Sequence, residues 1–282
     1  MNGLINLYKP SLMSSAKAVA KVKHILGEKR VGHMGTLDPM AQGVLVIGVG
    51  KSTRLFDYLS GERKSYVCKF KFGIETDTLD ALGETVNTTR DIPSVDAVYA
   101  AMQSLIGVQE QVPPVYSAKH VDGKRAYALA RSGETVELKS SKIEIFGTEL
   151  VCQPAMDEFV FTVDCSAGTY IRSICRDVAK MCGSLATLTY LQRTRSGRFN
   201  VNDAVTLENL DIVKGGAVIP PEKILDLPRY DVPAKDKQDL DFGRPILCEN
   251  DGDFAVFCED VLYGIGRAEK GVLKIKTYLK DD

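Results

Sequence analysis

Hydrophobic and polar positions along the N-terminal part of the chain alternate between helix-like and strand-like periods. Apolar residues recur every three or four positions after Ser14, which predicts a helix that ends near Gly27. The run 44–49 is apolar on both faces, as in a buried strand. Residues 64–72 alternate with a period of two, which predicts a half-buried strand.

The same reasoning extends the prediction towards the middle of the chain. Helices are predicted over 94–106 and 169–181, and strands over 142–146, 159–164 and 185–191. Between them, the glycines and proline of 32–39 predict a loop. Residues 113–142 are polar and basic with little periodicity, which predicts a long loop or insertion, a kind of segment that is often functional.

The composition changes around 206–230, where Gly-Gly and Pro-Pro pairs indicate a linker and acidic residues begin to dominate. From Tyr230 onwards, short apolar runs recur between turn signals and predict a small all-β module. The chain is therefore predicted to be α+β, with a first domain over 1–225 and a second over 228–282.

The net charge is only −1, but positive charge is concentrated in three blocks. The net charge is +6 over 1–64, +3 over 117–142 and +5 over 165–200, whereas 201–282 carries −6. If folding brings the basic blocks together, they form a surface for phosphates. The alternative is three solvated faces, and charge alone leaves both interpretations open.

The cysteines and histidines indicate no metal site. No Cys-x-x-Cys pair occurs among the seven cysteines, and the three histidines lack metal-ligand spacing, so we expect reduced thiols and no metal. No apolar run is long enough to span a bilayer, and residues 1–9 do not have the pattern of a signal peptide. We therefore expect a cytoplasmic protein without membrane contact.

Asp38 lies before a proline in a glycine-bracketed loop, and alone it would be interpreted as a turn residue. The whole segment 32–45, however, resembles the active-site motif of the bacterial tRNA pseudouridine-55 synthase family, the TruB type. Further matches follow in that family's order: Lys9-Pro10 with Ser14-Ser15, Lys64-Ser65-Tyr66, and the segments 72–83, 112–119, 168–173 and 191–199. One departure is Ala179, where the family usually has glycine.

The resemblance implies a cofactor-free isomerisation of uridine 55 in the T loop of tRNA to pseudouridine. It implies a catalytic domain with a mixed, mainly antiparallel sheet and flanking helices, followed by a PUA-like β domain. Asp38 is then the essential carboxylate, Arg172 is the partner that favours its charged form, and Tyr66 stacks on the flipped base. Attack on C1′, addition to C6 and removal of the 2′ proton all remain open for Asp38.

The resemblance also implies a set of RNA contacts. Leu191 is expected to pack on the flipped base, His33 to fill the space that the base leaves, and Lys9 to support the loop or contact a phosphate. Basic residues of the insertion at about 117–142 are expected to contact phosphates: Lys119, Lys124, Arg125 and Arg131. In the C-terminal domain, Arg244 and Lys270 are also expected to contact phosphates. The expected partner is the T-arm stem-loop of tRNA, bound by a monomer without an obligate protein partner.

Two alternative functions remain. One is the guide-RNA-dependent pseudouridine synthase subunit, a relative that lacks the insertion. The other is an RNA-binding protein that assists tRNA folding without catalysis. The insertion favours the stand-alone enzyme, and the combination of Asp38, Tyr66 and Arg172 favours catalysis.

Overall fold

The computed structural model describes residues 1–59, 61, 63–117 and 138–280, together with the backbone of 120–121 and 124–125. Among the described residues before 220, the α-helices are α1 (Ser15–Leu26), α2 (Phe56–Leu59), α3 (Val95–Ser104), α4 (Ile171–Met181) and α5 (Leu207–Val213). The strands there are β1 (Gly3–Lys9), β2 (Val31–Met34), β3 (Gln42–Val49), β4 (Lys64–Phe72), β5 (Ile74–Thr76), β6 (Thr85–Thr88), β7 (Gly107–Gln111), β8 (His120–Val121), β9 (Lys124–Arg125), β10 (Ser141–Ala155), β11 (Glu158–Cys165), β12 (Ala186–Ser196) and β13 (Phe199–Asn200).

Within the described residues, nine of these strands form one mixed sheet. Its order is β1-β3-β12-β4-β11-β10-β7, with β2 joined to β3 and β13 joined to β12. The pairs are antiparallel except for β3 and β12, which run parallel where Gln42 meets Gln192 and Gly43 meets Arg193. The predicted α+β class with a mainly antiparallel sheet is confirmed.

The termini of α1 follow from its sequence. Ser14 caps the helix by accepting a hydrogen bond from the backbone amide of Lys17. Gly27 ends it in the left-handed conformation, with φ of 65°. The helix packs the apolar face around Ala18 and Val22 against the core of the large sheet. The predicted helix is confirmed at both ends.

Strands β3 and β4 form where the sequence predicts them. Seven of the eight residues of β3 are buried, and β4 buries the alternating face that carries Tyr66 and Cys68. Other predicted bounds were wrong. The expected loop 32–39 begins as β2, the strand expected over 185–191 continues to Ser196, and the helix expected from 169 begins at Ile171.

A second sheet follows the segment 206–230, which was predicted to be a linker but contains α5, whose Leu207 and Leu210 pack into the core of the large sheet. It contains β14 (Arg229–Asp231), β15 (Ile246–Leu247), β16 (Gly252–Cys258), β17 (Val261–Glu269) and β18 (Val272–Tyr278), in the order β14-β16-β17-β18-β15, beside the short helix α6 (Lys237–Asp241). The predicted C-terminal β module is confirmed. The boundary between 225 and 228 and the likeness to a PUA domain stay predictions.

The two sheets share one hydrophobic cluster. Leu4, Val44 and Leu55 of the N-terminal part pack together with Phe257 and Leu279 of the C-terminal module. This shared core places the β module directly behind the strands that lead into and out of the loop carrying Asp38. No described helix combines the length and the apolar character that crossing a bilayer requires.

Candidate active site

Asp38 lies in the loop between β2 and β3, and the N-terminal end of α1 fixes this loop. The hydroxyl of Ser15 donates to the carbonyl of Leu37 and accepts from the amide of Leu37, at 2.9 Å in each case. Ser11 donates to the carbonyl of Met40 at 2.8 Å. The backbone on both sides of Asp38 is therefore tied to the connection between β1 and α1 and to the first residue of α1.

Arg172 reaches Asp38 from the first turn of α4. Its Nε lies 2.8 Å from Oδ2 of Asp38 and its Nη2 lies 3.0 Å from Oδ1, so the pair is bidentate. The guanidinium also donates to the carbonyls of Thr78 and Tyr116, at 2.9 Å each, and Asp80 lies 3.7 Å away. These contacts hold the carboxylate of Asp38 in one orientation.

Arg172 and Asp38 differ in how deeply their side chains are buried. The side chain of Arg172 is 4% exposed, whereas that of Asp38 is 30% exposed. The start of α4 is itself fixed, because the side-chain amide of Gln111 bonds both the amide and the carbonyl of Tyr170. The arginine is thus a buried support, and the carboxylate keeps an accessible side.

That accessible side lies in a cavity of about 210 Å³. Tyr66 of β4 and Leu191 of β12 contribute to its wall, so the structure brings them together with Asp38 as predicted. Burial raises the pKa of the Tyr66 phenol, and the nearby Arg193 acts in the opposite direction. The phenol therefore stays protonated at neutral pH and has a proton to donate.

Sequence reasoning missed two cations of this cavity. Arg193 is 1% exposed and donates from Nε to the carbonyl of Val44 at 2.7 Å and from Nη2 to that of Gly35 at 3.1 Å, which ties β12 to the Asp38 loop. Lys64 lines the cavity, and burial, followed by the charge of Arg193, lowers its pKa to about 8. Both residues lie in the motifs already noted, and Lys64 shares the alternating face of Tyr66, which was the available signal.

Lys9 supports the loop. It is fully buried, and its ammonium donates to the carbonyls of Met13 at 2.6 Å, Pro10 at 2.9 Å and Pro39 at 3.5 Å. Burial lowers the pKa of Lys9 to about 8, while the Asp38 carboxylate raises it. Of the two predicted roles, these contacts favour loop support over a phosphate contact.

His33 does not line this cavity. It lies in a neighbouring groove of about 430 Å³, together with Lys23 of α1 and Phe56 of α2. Of the basic residues predicted to grip RNA, Lys119 and Arg131 lie outside the described residues, and only the backbone of Lys124 and Arg125 is described. Across the residues that the structure describes, no group of His, Cys, Asp and Glu side chains is arranged to hold a metal ion.

Solved structures define the class of protein to which this fold belongs. A chain of an H/ACA RNP bound to a substrate RNA containing 2′-deoxyuridine aligns with a TM-score of 0.71 at 22% identity, over 99% of this chain and 85% of that one. A chain of a Cbf5-Nop10-Gar1 complex aligns with a TM-score of 0.68 at 25% identity, over 94% and 78%. The fold is therefore that of the Cbf5 and TruB type of pseudouridine synthase.

Sequence comparison defines the family more narrowly. Residues 23–171 match the model of the TruB family pseudouridylate synthase N-terminal domain, and 172–214 match that of the tRNA pseudouridylate synthase B C-terminal domain. The tRNA pseudouridine synthase B of Thermosipho melanesiensis is 38% identical over 96% of this chain and 92% of its own length. That of Clostridium kluyveri is 41% identical over 80% and 78%. The chain belongs to the TruB family of pseudouridylate synthases.

Proposed function

We propose that this protein isomerises uridine to pseudouridine in tRNA, at position 55 of the T loop, with Asp38 as the essential carboxylate. The observation that carries the proposal is the bidentate pair of Asp38 with the buried Arg172, at a cavity that Tyr66 and Leu191 help to line. The names of the relatives support tRNA as the substrate. Position 55 rests on the motif resemblance of segment 32–45.

The arrangement suits a reaction that breaks the C1′–N1 bond and rejoins the same uracil through C5. The nucleotide must leave its stack to reach Asp38, because the carboxylate lies inside a cavity. Tyr66 offers a ring on which the extruded base stacks, a contact worth roughly 1–3 kcal/mol. The ionised carboxylate then attacks C1′, adds to C6 or removes the 2′ proton, and Arg172 keeps it aligned for whichever step occurs.

No step in this scheme needs an oxidant, a phosphate donor or a metal ion, because the product is an isomer of the substrate. We infer that the protein binds the T-arm stem-loop as a monomer in the cytoplasm, without a guide RNA or an obligate protein partner. The relatives at 35–41% identity are named tRNA pseudouridine synthase B, which favours this over the guide-RNA-dependent alternative.

The test compares wild type with Asp38→Asn on a T-arm hairpin that carries tritium at C5 of the target uridine. Isomerisation releases that tritium, so wild type is expected to release it in the presence of a chelator and without any cofactor. Asp38→Asn should bind the hairpin normally and react roughly 10³-fold more slowly or not at all. The exposed Asp57 of α2 supplies the matched control, and Asp57→Asn should react like wild type.

Equal tritium release by wild type and Asp38→Asn would contradict the catalytic role. Absence of release by wild type, with tight hairpin binding, would instead favour the RNA-binding protein that assists folding without catalysis. A hairpin with cytidine at the target position tests the choice of nucleotide.

A further inference from the structure

We propose that Lys64 binds a phosphodiester next to the target uridine and so positions the flipped nucleotide over Asp38. This inference rests on the proposed function, since it concerns the ligand of the same cavity. Lys64 would be a positioning residue: it holds the backbone of the substrate and takes no part in bond making at the base.

The alternation of side chains along β4 places Lys64 on the face that lines the cavity. Side chains two apart in a strand point to the same face, so Lys64 shares the face of Tyr66 and Cys68. Cys68 is fully buried, Tyr66 is 7% exposed and Lys64 is half-buried, which places Lys64 where this face opens into the cavity. A Cβ atom added to Gly35 would lie 3.2 Å from Nζ of Lys64, so the ammonium lies beside the Asp38 loop.

The ammonium of Lys64 lacks the partners that comparable cations in this structure have. Lys9 donates to three carbonyls, and Lys69 of the same strand forms an ion pair with Glu158 at 2.9 Å. Lys64 donates to no acceptor among the described residues, although it carries three N–H donors and faces Arg193. A partly buried cation without acceptors is costly, and burial accordingly lowers its pKa. A ligand with anionic oxygens relieves that cost.

Charge complementarity selects a phosphodiester over a uracil carbonyl. The charged side chains that line the cavity are two cations, Lys64 and Arg193, and one anion, Asp38. A phosphodiester carries one negative charge and offers two non-bridging oxygens, so it balances the excess, whereas a neutral carbonyl leaves it uncompensated. Tyr66 and Leu191 meanwhile give the base an aromatic and aliphatic wall.

The experiment is a double-substitution cycle between the protein and the RNA. Lys64→Met keeps the alkyl stem and removes the charge. In the T-arm hairpin, each of the two phosphates that flank the target uridine is replaced in turn by an uncharged methylphosphonate. The dissociation constant and the single-turnover rate are measured for every combination.

We expect Lys64→Met to weaken binding of the unmodified hairpin by roughly 10-fold. One of the two methylphosphonates should weaken binding to wild type by a similar factor and have no further effect on Lys64→Met. The matched control is Lys71→Met, because Lys71 lies on the opposite face of β4 and pairs with Asp157 and Glu158. It should bind like wild type and keep the full methylphosphonate effect.

Losses that add at both phosphates, or a Lys64→Met protein that binds like wild type, would overturn the assignment. Wild type alone covers the case in which Lys64→Met does not fold: if neither methylphosphonate weakens its binding of the hairpin, the assignment is overturned. If the losses add but the wild-type protein still converts the hairpin, only the proposed role of Lys64 is contradicted. Failure of the proposed function has a different signature, namely no tritium release from wild type.

Discussion

The carboxylate of Asp38 has one supported side and one accessible side. The planar guanidinium of Arg172 binds both carboxylate oxygens and donates two further N–H groups to the carbonyls of Thr78 and Tyr116. This contact set needs several donors fixed in one plane, which arginine has and lysine lacks. The orientation of Asp38 therefore depends on the shape of Arg172 as well as on its charge.

We predict that Arg172→Lys reduces catalysis far more than RNA binding. The ammonium keeps the positive charge but cannot bind both oxygens and both carbonyls, so Asp38 loses its alignment. A misplacement of about 1 Å costs roughly 100-fold in rate, which is the loss expected in single-turnover tritium release. The dissociation constant of the hairpin should change by less than about threefold. A variant with the wild-type rate would show that charge alone suffices.

A second residue-scale prediction concerns Lys9, whose ordinary pKa of 10.5 is lowered to about 8 by burial. Below pH 8 the folded and unfolded chains both carry the ammonium, and the folded state bears the whole cost of burying it. Between about pH 8 and 10.5 the unfolded chain binds more protons, so the contribution of Lys9 to the free energy of unfolding rises with pH.

Lys9→Met removes this rise together with the hydrogen bonds to three carbonyls. We expect the variant to be less stable by about 2 kcal/mol at pH 7, because carbonyls are left unsatisfied. Its deficit relative to wild type should widen between pH 8 and 10, measured by urea unfolding. A deficit that stays constant across this range would mean that the carbonyls keep the Lys9 ammonium protonated.

At the scale of elements, the site depends on the close parallel contact between β3 and β12. Gly43 has a φ of 99°, and a Cβ atom there would lie 2.3 Å from the carbonyl oxygen of Arg193. The same short parallel contact positions Arg193 to reach the carbonyls of Val44 and Gly35. The glycine thus permits the approach that ties the Asp38 loop to the sheet.

Gly43→Ala should therefore cost at least about 3 kcal/mol of stability, from the positive φ and the backbone clash together. Catalysis should fall as well, because Arg193 is pushed away from the loop. Gly27→Ala is the matched control, since Gly27 also has a positive φ of 65° but no atom within 4 Å of the added Cβ. It should cost only about 1–2 kcal/mol, with normal activity. If Gly43→Ala and Gly27→Ala lose the same stability in thermal unfolding, the close contact between β3 and β12 is not what requires glycine at position 43.

The sequence predicted the elements that carry their own signals. Ser14 and Gly27 delimit α1, and the alternation from Lys64 to Phe72 defines β4. Strand β2 was missed because the glycines and proline of 32–39 indicate a loop. The strand forms only through its pairing with β3, which a local pattern does not show. The polar end of β12, from Gln192 to Ser196, was missed for the same reason: partners in β3, β4 and β13 decide it.

The site residues, too, could be predicted where a local motif indicates them and not where long-range contacts decide their role. Asp38, Tyr66, Arg172 and Leu191 were proposed from their motifs. The structure places Asp38, Tyr66 and Leu191 at one cavity, with Arg172 hydrogen-bonded to Asp38. The buried role of Arg193 was not predicted, and Lys9 was left open between loop support and a phosphate contact, because a local pattern does not show that a cation is enclosed by backbone carbonyls. Such roles depend on which strands pair.

At the scale of the whole molecule, the N-terminal part and the C-terminal module share a hydrophobic cluster but differ in net charge. The C-terminal module is joined to the N-terminal part through a shared hydrophobic cluster, and Lys51 and Arg54 donate to the carbonyls of Lys280 and Tyr278. Within the module, Arg229 and Arg267 are engaged by aspartates. The module therefore braces the strands behind the site, and the net positive charge lies in the blocks before residue 200.

This division predicts where the salt dependence of RNA binding originates. Lys23 is exposed on α1 and lines the groove that contains His33, whereas Lys274 is exposed on β18 of the acidic module. Each phosphate contact contributes about one to the slope of log Kd against log salt concentration, because binding releases condensed counterions. Lys23→Gln should lower that slope by about one and weaken hairpin binding, and Lys274→Gln should change neither quantity. The slopes are measured by titrating the T-arm hairpin at several salt concentrations. A lower slope for Lys274→Gln would mean that the acidic module contacts phosphates despite its net charge, and an unchanged slope for Lys23→Gln would remove the groove beside α1 from the RNA-binding surface.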